Sequence, residues 1–330
     1  MKKILIIQTA SLGDVILATP LAEKLHHVFP QASIDFLVKK GNEPLLKNHP
    51  FLHSTLVWDK SAGSFLHALK CIRMIRSNRY DLVVNAQRFF MTGLMTVLSM
   101  ATFKTGFDKN PLSILFTSKI SHRIGEGIHE IDRNLALIEE FQGPAPGIRY
   151  LPKLYPSPED LQKTASYKTK PYYTLSPASL WFTKQFPASQ WAQLISHIPA
   201  NDSVYLLGAP NDHSLCEEIR LVSGHPGTVN LSGKLSLLQS ASLMQDARMN
   251  FTNDSAPMHL ASSVNAPVTV VYCSTIPEFG FGPLSTDSVV VEIPEKLSCR
   301  PCGLHGYPQC PQKHFRCATS IPLELLLKRL

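Results

Sequence analysis

Short unbroken apolar runs alternate along this chain with longer segments of helical periodicity. Ile4 to Ile7 is such a run, the pattern of a strand buried on both faces in a parallel sheet. A small polar loop follows, Thr9-Ala10-Ser11-Leu12-Gly13-Asp14. Then Val15, Leu17, Ala18, Leu21, Ala22, Leu25 and Val28 recur at mostly helical spacing. Further strands are predicted at Ser33 to Val38, Ser54 to Trp58 and Asp81 to Asn85, with a short segment at Thr105 to Asp108. Helices are predicted at Phe65 to Arg76, within the uncharged run Phe89 to Phe103, and from His129 to about Phe141. Alternating strands and helices imply βαβ units and a parallel sheet.

Pro144, Pro146, Pro152, Pro156 and Pro158 then mark a linker or domain boundary. A second α/β series follows it. Its predicted strands are Tyr172 to Ser176, Val204 to Leu207, Thr228 to Leu231, Asn250 to Thr252, Val268 to Tyr272 and Val289 to Ile293. Its helices are Ser189 to His197, Asp212 to Val222, Leu237 to Ala247 and Pro257 to Val264. The expected architecture is α/β, with doubly wound domains over residues 1–155 and 156–330 facing across a cleft lined by the carboxyl ends of both sheets. A last helix, Pro322 to Leu330, is expected to pack back on the first domain.

The candidate chemistry sits in strand-to-helix loops. Asp14, at the start of the first helix, reads either as a helix N-cap or as a carboxylate at a ligand crevice, free to take a proton. Gly13 beside it permits close backbone approach or an unusual φ. In the loop Ser176 to Pro187, Ser179 and Lys184 offer a hydroxyl and a point charge of the kind that holds phosphate; a solvated surface lysine is the alternative. In Asn253-Asp-Ser-Ala-Pro-Met-His-Leu-Ala261, Pro257 suits a first helical turn. The free N–H groups near Ser255 and Ala256 then make an anion site. Asp254 reads as a helix cap or as a partner of a ribose or sugar hydroxyl, and His259 as a ligand contact or a satisfied buried histidine. Gly280 and Gly282 in Phe279-Gly-Phe-Gly-Pro283 permit tight turns. No Walker loop or GxGxxG fingerprint is present, which removes P-loop kinases and dinucleotide-dependent dehydrogenases.

Composition narrows the partners. The chain of 330 residues is 44% hydrophobic and 17% charged, with 32 Lys and Arg against 25 Asp and Glu. That balance favours anionic partners. The charge is spread, so a nucleic-acid stripe is not indicated. The apolar run after Lys2-Lys3 breaks at Gln8, unlike a signal peptide, and seven cysteines without such a signal point to a reducing cytoplasm. Cys299, Cys302, Cys310 and Cys317, with His305 and His314 among them, resemble a structural zinc site with loose spacing; reduced, partly buried thiols are the alternative.

Taken together, several of these stretches resemble the ADP-heptose:lipopolysaccharide heptosyltransferases of glycosyltransferase family 9. They are Ser11-Leu-Gly-Asp14, Pro177-Ala-Ser-Leu-Trp181 with Lys184 and Pro187, His129-Glu-Ile-Asp-Arg-Asn134, Asn253 to Ala261, Phe279 to Pro283 and Cys299-Arg-Pro-Cys302. They cover nearly the whole chain in the family's order. The resemblance implies a GT-B fold of two Rossmann-like domains, with the acceptor bound by the first and the nucleotide sugar by the second. It implies metal-independent, inverting transfer with no cofactor beyond the ADP-heptose substrate. Asp14 matches the general base and Lys184 the diphosphate-binding lysine. Ser11, Gly13, Ser179, Asp254, Ser255, Ala256 and His259 match nucleotide-sugar contacts. Ala256 stands where the family usually has Gly, and Ser179-Leu180 where some members carry two hydroxyl residues. The implied partners are the nucleotide sugar and the lipopolysaccharide core acceptor, with peripheral contact at the inner membrane surface and no nucleic acid. A related transferase acting on O-antigen or another surface glycan, and a non-catalytic nucleotide-sugar-binding protein, are the alternative readings.

Overall fold

The computed structural model describes residues 1–60, 64–141 and 147–330, the side chains of 64–66 excepted. Pro144 and Pro146 lie outside the described residues. The chain divides into two compact units, Met1–Tyr155 and Pro156–Leu330.

The first unit runs β1 (Lys3–Ile7), α1 (Leu12–Val28), β2 (Ser33–Lys39), β3 (Leu52–Trp58), α2 (Ser64–Asn78), β4 (Leu82–Asn85), α3 (Phe90–Leu98), β5 (Phe103–Phe107), β6 (Ser118–Ile120) and α4 (Glu130–Ala136). Its six strands form one parallel sheet in the order β3-β2-β1-β4-β5-β6. Ile4 to Ile7 are fully buried, as an unbroken apolar run requires when helices cover both sheet faces. The strand β6 was not predicted: Ser-Lys-Ile is too short and too polar to carry a periodic signal. Beyond Ala136 the expected helix to Phe141 gives way to turns.

The second unit runs α5 (Pro158–Thr164), β7 (Tyr172–Ser176), α6 (Ala188–Ser196), β8 (Ser203–Leu206), α7 (His213–Ser223), β9 (Thr228–Asn230), α8 (Leu237–Gln245), β10 (Met249–Asn253), α9 (Ala256–Ser263), β11 (Val268–Tyr272), β12 (Ser288–Glu292), α10 (Arg316–Thr319) and α11 (Glu324–Leu327). Its sheet is again six-stranded and parallel, in the order β12-β11-β10-β7-β8-β9. The helix α5 starts inside the expected linker. Ser157 caps it through a reciprocal box with Asp160, and Pro158 occupies the first turn. The end of the chain departs from expectation as well. Only Glu324–Leu327 is helical, and Ile321, Leu323 and Leu326 pack into the core of this second unit with Leu175, Trp191 and Phe251. Burying three large apolar side chains there decides the tail's position.

In each sheet the strand order reverses once, between β1 and β4 in the first unit and between β7 and β10 in the second. Ligands of open α/β sheets bind outside the carboxyl ends of strands at such reversals. The loops placed there are Gln8 to Ser11 after β1 and Gln87 to Phe89 after β4. In the second unit they are Pro177 to Pro187 after β7 and Asp254-Ser255 after β10.

Candidate active site

In the first unit, the N-cap of α1 is Ser11, and Asp14 stands three residues on, in the first turn. The two form a capping box. Ser11 Oγ accepts from the Asp14 N–H at 3.3 Å, and Asp14 Oδ2 accepts from the Ser11 N–H at 2.9 Å and from Ser11 Oγ at 2.5 Å. The expectation of Asp14 as the cap residue is therefore corrected: Ser11 caps, and Asp14 reciprocates. Gly13 lies inside the helix and is not among the positive-φ glycines. Of its two expected uses, close approach remains and unusual φ does not.

The loop before α1 is braced from three sides. Ala10 N donates to Gln8 Oε1 at 3.2 Å, Asn42 Nδ2 to Ala10 O at 3.0 Å, and Lys60 Nζ to Thr9 O at 2.7 Å. Gln87, after β4, donates to Gln8 Oε1 across the sheet reversal. Helix α4 packs against α1, with Asn134 Nδ2 donating to Leu17 O at 3.1 Å. That contact brings a buried ion pair, Arg133 to Glu130 at 2.7 Å, into the electrostatic field of Asp14. Burial pushes the Glu130 carboxyl up, the Arg133 guanidinium opposes this, and the Asp14 carboxylate adds to the rise. Glu130, Arg133 and Asn134 were quoted from sequence without individual roles. Their signal is an acid three residues before a base in a helix first turn, which resembles an ordinary surface pair until burial is known.

In the second unit, Lys184 ends a short helical turn, Phe182–Lys184. Its Nζ lies 2.6 Å from Asp254 Oδ2, and the two side chains are 15% and 9% exposed. Asp254 also accepts from Thr275 Oγ1 at 2.6 Å. An ammonium carries three donors, so this pair leaves Lys184 further directions for a phosphate. Asn253, at the end of β10, joins the two loops. Its Oδ1 accepts from the Phe186 N–H at 2.9 Å, and its Nδ2 donates to Pro177 O at 2.6 Å. Sequence reasoning gave Asn253 no role, since a buried amide linking two loops has no local pattern.

Ser255 is the N-cap of α9 and forms no side-chain cap hydrogen bond; Pro257 fills the first turn. The Ala256 N–H thus keeps its capacity for an anion, whereas Pro257 has no N–H and the Met258 N–H donates to Ser255 O at 3.1 Å. His259 is buried one turn along α9. Ser179 is half-buried, and its carbonyl accepts from Gln185 Nε2 at 2.7 Å. Gly280 adopts φ +88°, the left-handed turn expected of it, whereas Gly282 is not among the positive-φ glycines. The structure thus brings together Lys184, Asp254, Ser255 and Ala256 at one sheet reversal, and Ser11, Gly13 and Asp14 at the other. Near the chain end, Cys299, Cys302, Cys310 and Cys317 are unbridged thiols. Cys299 Sγ faces His314 Nε2 at 3.7 Å. Among the described residues, no group of three or more His, Cys, Asp and Glu side chains is arranged to hold a metal ion.

A parallel α/β fold in two units, with ligand loops at both sheet reversals, is the GT-B glycosyltransferase architecture. Escherichia coli ADP-heptose lipopolysaccharide heptosyltransferase II superimposes with a TM-score of 0.81 at 22% identity, over 100% of this chain and 97% of that one. The sequence model of glycosyltransferase family 9 (heptosyltransferase) matches residues 68–305. The chain belongs to that family and is a glycosyltransferase. Among curated relatives, lipooligosaccharide heptosyltransferase 2 of Haemophilus ducreyi is 26% identical over 315 residues, 88% of either chain. Lipopolysaccharide heptosyltransferase 3 of Escherichia coli is 24% identical over 279 residues, 80% of this chain and 81% of its own.

Proposed function

We propose that this chain transfers heptose from ADP-heptose to the inner core of lipopolysaccharide, with inversion at the anomeric carbon and without a metal ion. Asp14 accepts the proton of the acceptor hydroxyl as its oxygen bonds to the anomeric carbon. The bond from that carbon to the diphosphate oxygen breaks on the opposite face, and ADP leaves. Lys184 and the N-terminus of α9, through the Ala256 N–H, balance the negative charge that develops on the diphosphate. Asp254 orients Lys184 through their 2.6 Å ion pair. Ser179, Ser255 and His259 complete the donor contacts, and Ser11 and Gly13 shape the approach to Asp14.

The observation that carries this reading is the Lys184–Asp254 pair, 2.6 Å apart, beside the uncapped start of α9. A cation and a helix N-terminus with the Ala256 N–H uncommitted, at one sheet reversal, suit a diphosphate leaving group. Incubation of the pure protein with ADP-heptose and a defined lipid A–Kdo acceptor is expected to yield an acceptor heavier by one heptose. Transfer from a different nucleotide sugar, with none from ADP-heptose, would overturn the donor assignment.

We also infer peripheral contact with an anionic bilayer. No helix among the described residues is long and apolar enough to cross a membrane. The first unit does present Phe89 and Phe90, 61% and 52% exposed, beside Ile114 and Leu115, 82% and 54% exposed. Asn110 ties the two segments, donating to Gln87 O at 3.2 Å and Phe89 O at 3.0 Å. Residues 85–125 carry five basic side chains and one acidic. Exposed apolar side chains in a net basic stretch of chain suit an anionic lipid surface. Sedimentation with phosphatidylglycerol vesicles, but not phosphatidylcholine vesicles, is expected. Its persistence in a Phe90→Ser/Ile114→Ser variant would refute this surface.

A further inference from the structure

The loop between Cys299 and Cys310 has no part in the mechanism above, yet it is fastened to the loop that carries Lys184. Thr183 N donates to Tyr307 O at 3.1 Å, and Tyr307 N donates to Thr183 Oγ1 at 2.8 Å. Ser274 Oγ donates to the same threonine hydroxyl at 3.0 Å, and Cys302 N donates to Ser274 O at 2.8 Å. Between these ties lies Gly306, at φ +79°. A Cβ there would stand 2.9 Å from Thr183 Oγ1, 3.1 Å from Lys184 Cγ and 3.3 Å from Ser274 Oγ. The backbone of this loop therefore rests against the stem of the lysine, and only glycine fits both the space and the dihedral.

The same loop also reaches the lysine's partner. Arg300 Nε donates to Cys273 O at 2.8 Å, and its Nη2 to Thr275 O at 2.7 Å and Glu292 Oε2 at 2.6 Å. These bonds fix the chain after β11, where the Thr275 hydroxyl donates to Asp254 at 2.6 Å. A lysine on a four-carbon stem samples many rotamers unless its surroundings remove them. Here Gly306 and Thr183 bound the stem, and Arg300, through Thr275, steadies the carboxylate that holds the head.

We propose that the C-terminal loop from Arg300 to Tyr307 belongs to the donor site at one remove, with Gly306 and Thr183 as positioning residues that aim Lys184 at the diphosphate of the nucleotide sugar. This rests on the reading of Lys184 as the diphosphate cation. Thr183 is 1% exposed, so neither residue needs to touch substrate to act.

The test compares Gly306→Ala, Thr183→Val and Thr183→Ser in the full-length chain, with KM for donor and acceptor, kcat and melting temperature measured for each. Displacing a binding group by a fraction of an ångström is expected to raise the donor KM about tenfold or more in Gly306→Ala and Thr183→Val. The acceptor KM should stay within about twofold, and Thr183→Ser, which keeps the hydroxyl, should recover most of the loss. In a Lys184→Ala background, Gly306→Ala should add nothing to the donor KM, because the two changes act through one group. Equal effects on donor and acceptor, or a Gly306→Ala effect that persists undiminished without Lys184, would overturn the positioning role. If Lys184→Ala raises the donor KM and Gly306→Ala and Thr183→Val do not, this proposal fails alone; a silent Lys184→Ala removes the reading beneath it as well. Should Gly306→Ala melt below the assay temperature, the Thr183→Val and Thr183→Ser pair carries the same comparison.

Discussion

Replacing Asp14 by Asn separates its two possible roles, because the structure gives each a different magnitude. As a structural group, the carboxylate accepts two hydrogen bonds from Ser11 within the capping box. The Asn side-chain oxygen occupies the same place and still accepts from the Ser11 N–H, so the box weakens without vanishing. Loss of a whole cap costs about 1 kcal/mol, which in a domain of this size lowers the melting temperature by about 2–4 °C. The substitution should cost less than that. As a base, the amide cannot take the acceptor's proton, and removing a general base slows turnover about 10²–10⁴-fold. At 1.36 kcal/mol per decade, that raises the barrier by about 2.7–5.4 kcal/mol, several times the structural effect. The assay is ADP release at saturating acceptor, with donor affinity by calorimetry and melting temperature on the same preparation. Ser11→Ala is the comparison: it removes the cap hydroxyl and spares the carboxylate, so it should melt lower yet lose far less turnover than Asp14→Asn. An Asp14→Asn enzyme that melts, binds donor and turns over like the parent would refute the base, and Glu130, buried beside it, would be examined next.

Three further outcomes are expected. Lys184→Ala should raise the donor KM by the worth of a charged hydrogen bond, about 1.5–3 kcal/mol or some 10–150-fold, with acceptor KM unchanged; a change below twofold in kcat/KM for donor would reject the assignment. Excess EDTA should leave transfer intact, because the proposed charge stabilisation comes from Lys184 and the Ala256 N–H; a lost rate restored by Mg²⁺ or Mn²⁺ would reject the metal-free mechanism. Burial, with His26 and Lys153 nearby, pushes the His49 pKa from 6.5 to about 4. The unfolded chain therefore takes up a proton that the folded one refuses, and stability should fall as pH drops from 6.5 toward 4. His49→Gln should flatten that slope in a melting series, and an unchanged slope would count against His49 as its source.

The relation between sequence and structure differs from element to element. The apolar run Ile4 to Ile7, the helical spacing after it and the equivalent runs at Tyr172 to Ser176 and Val268 to Tyr272 were legible because strand and helix periods are local properties. The start of the first helix was legible for the same reason, although the structure makes Ser11 the cap and Asp14 its partner three residues on. Tertiary structure decided what depends on partners distant in the chain. Lys184 meets Asp254 across seventy positions because β7 and β10 are neighbours at a sheet reversal, and no local pattern records strand order. Glu130 joins the surroundings of Asp14 only because α4 packs on α1. Gly306 and Tyr307 looked like part of a cysteine-rich tail until the backbone ties to Thr183 placed them against the lysine. Composition and periodicity set which segments bury which faces, whereas the charges that share a crevice are chosen by sheet order and helix packing, where burial strengthens what would be a weak pair at the surface.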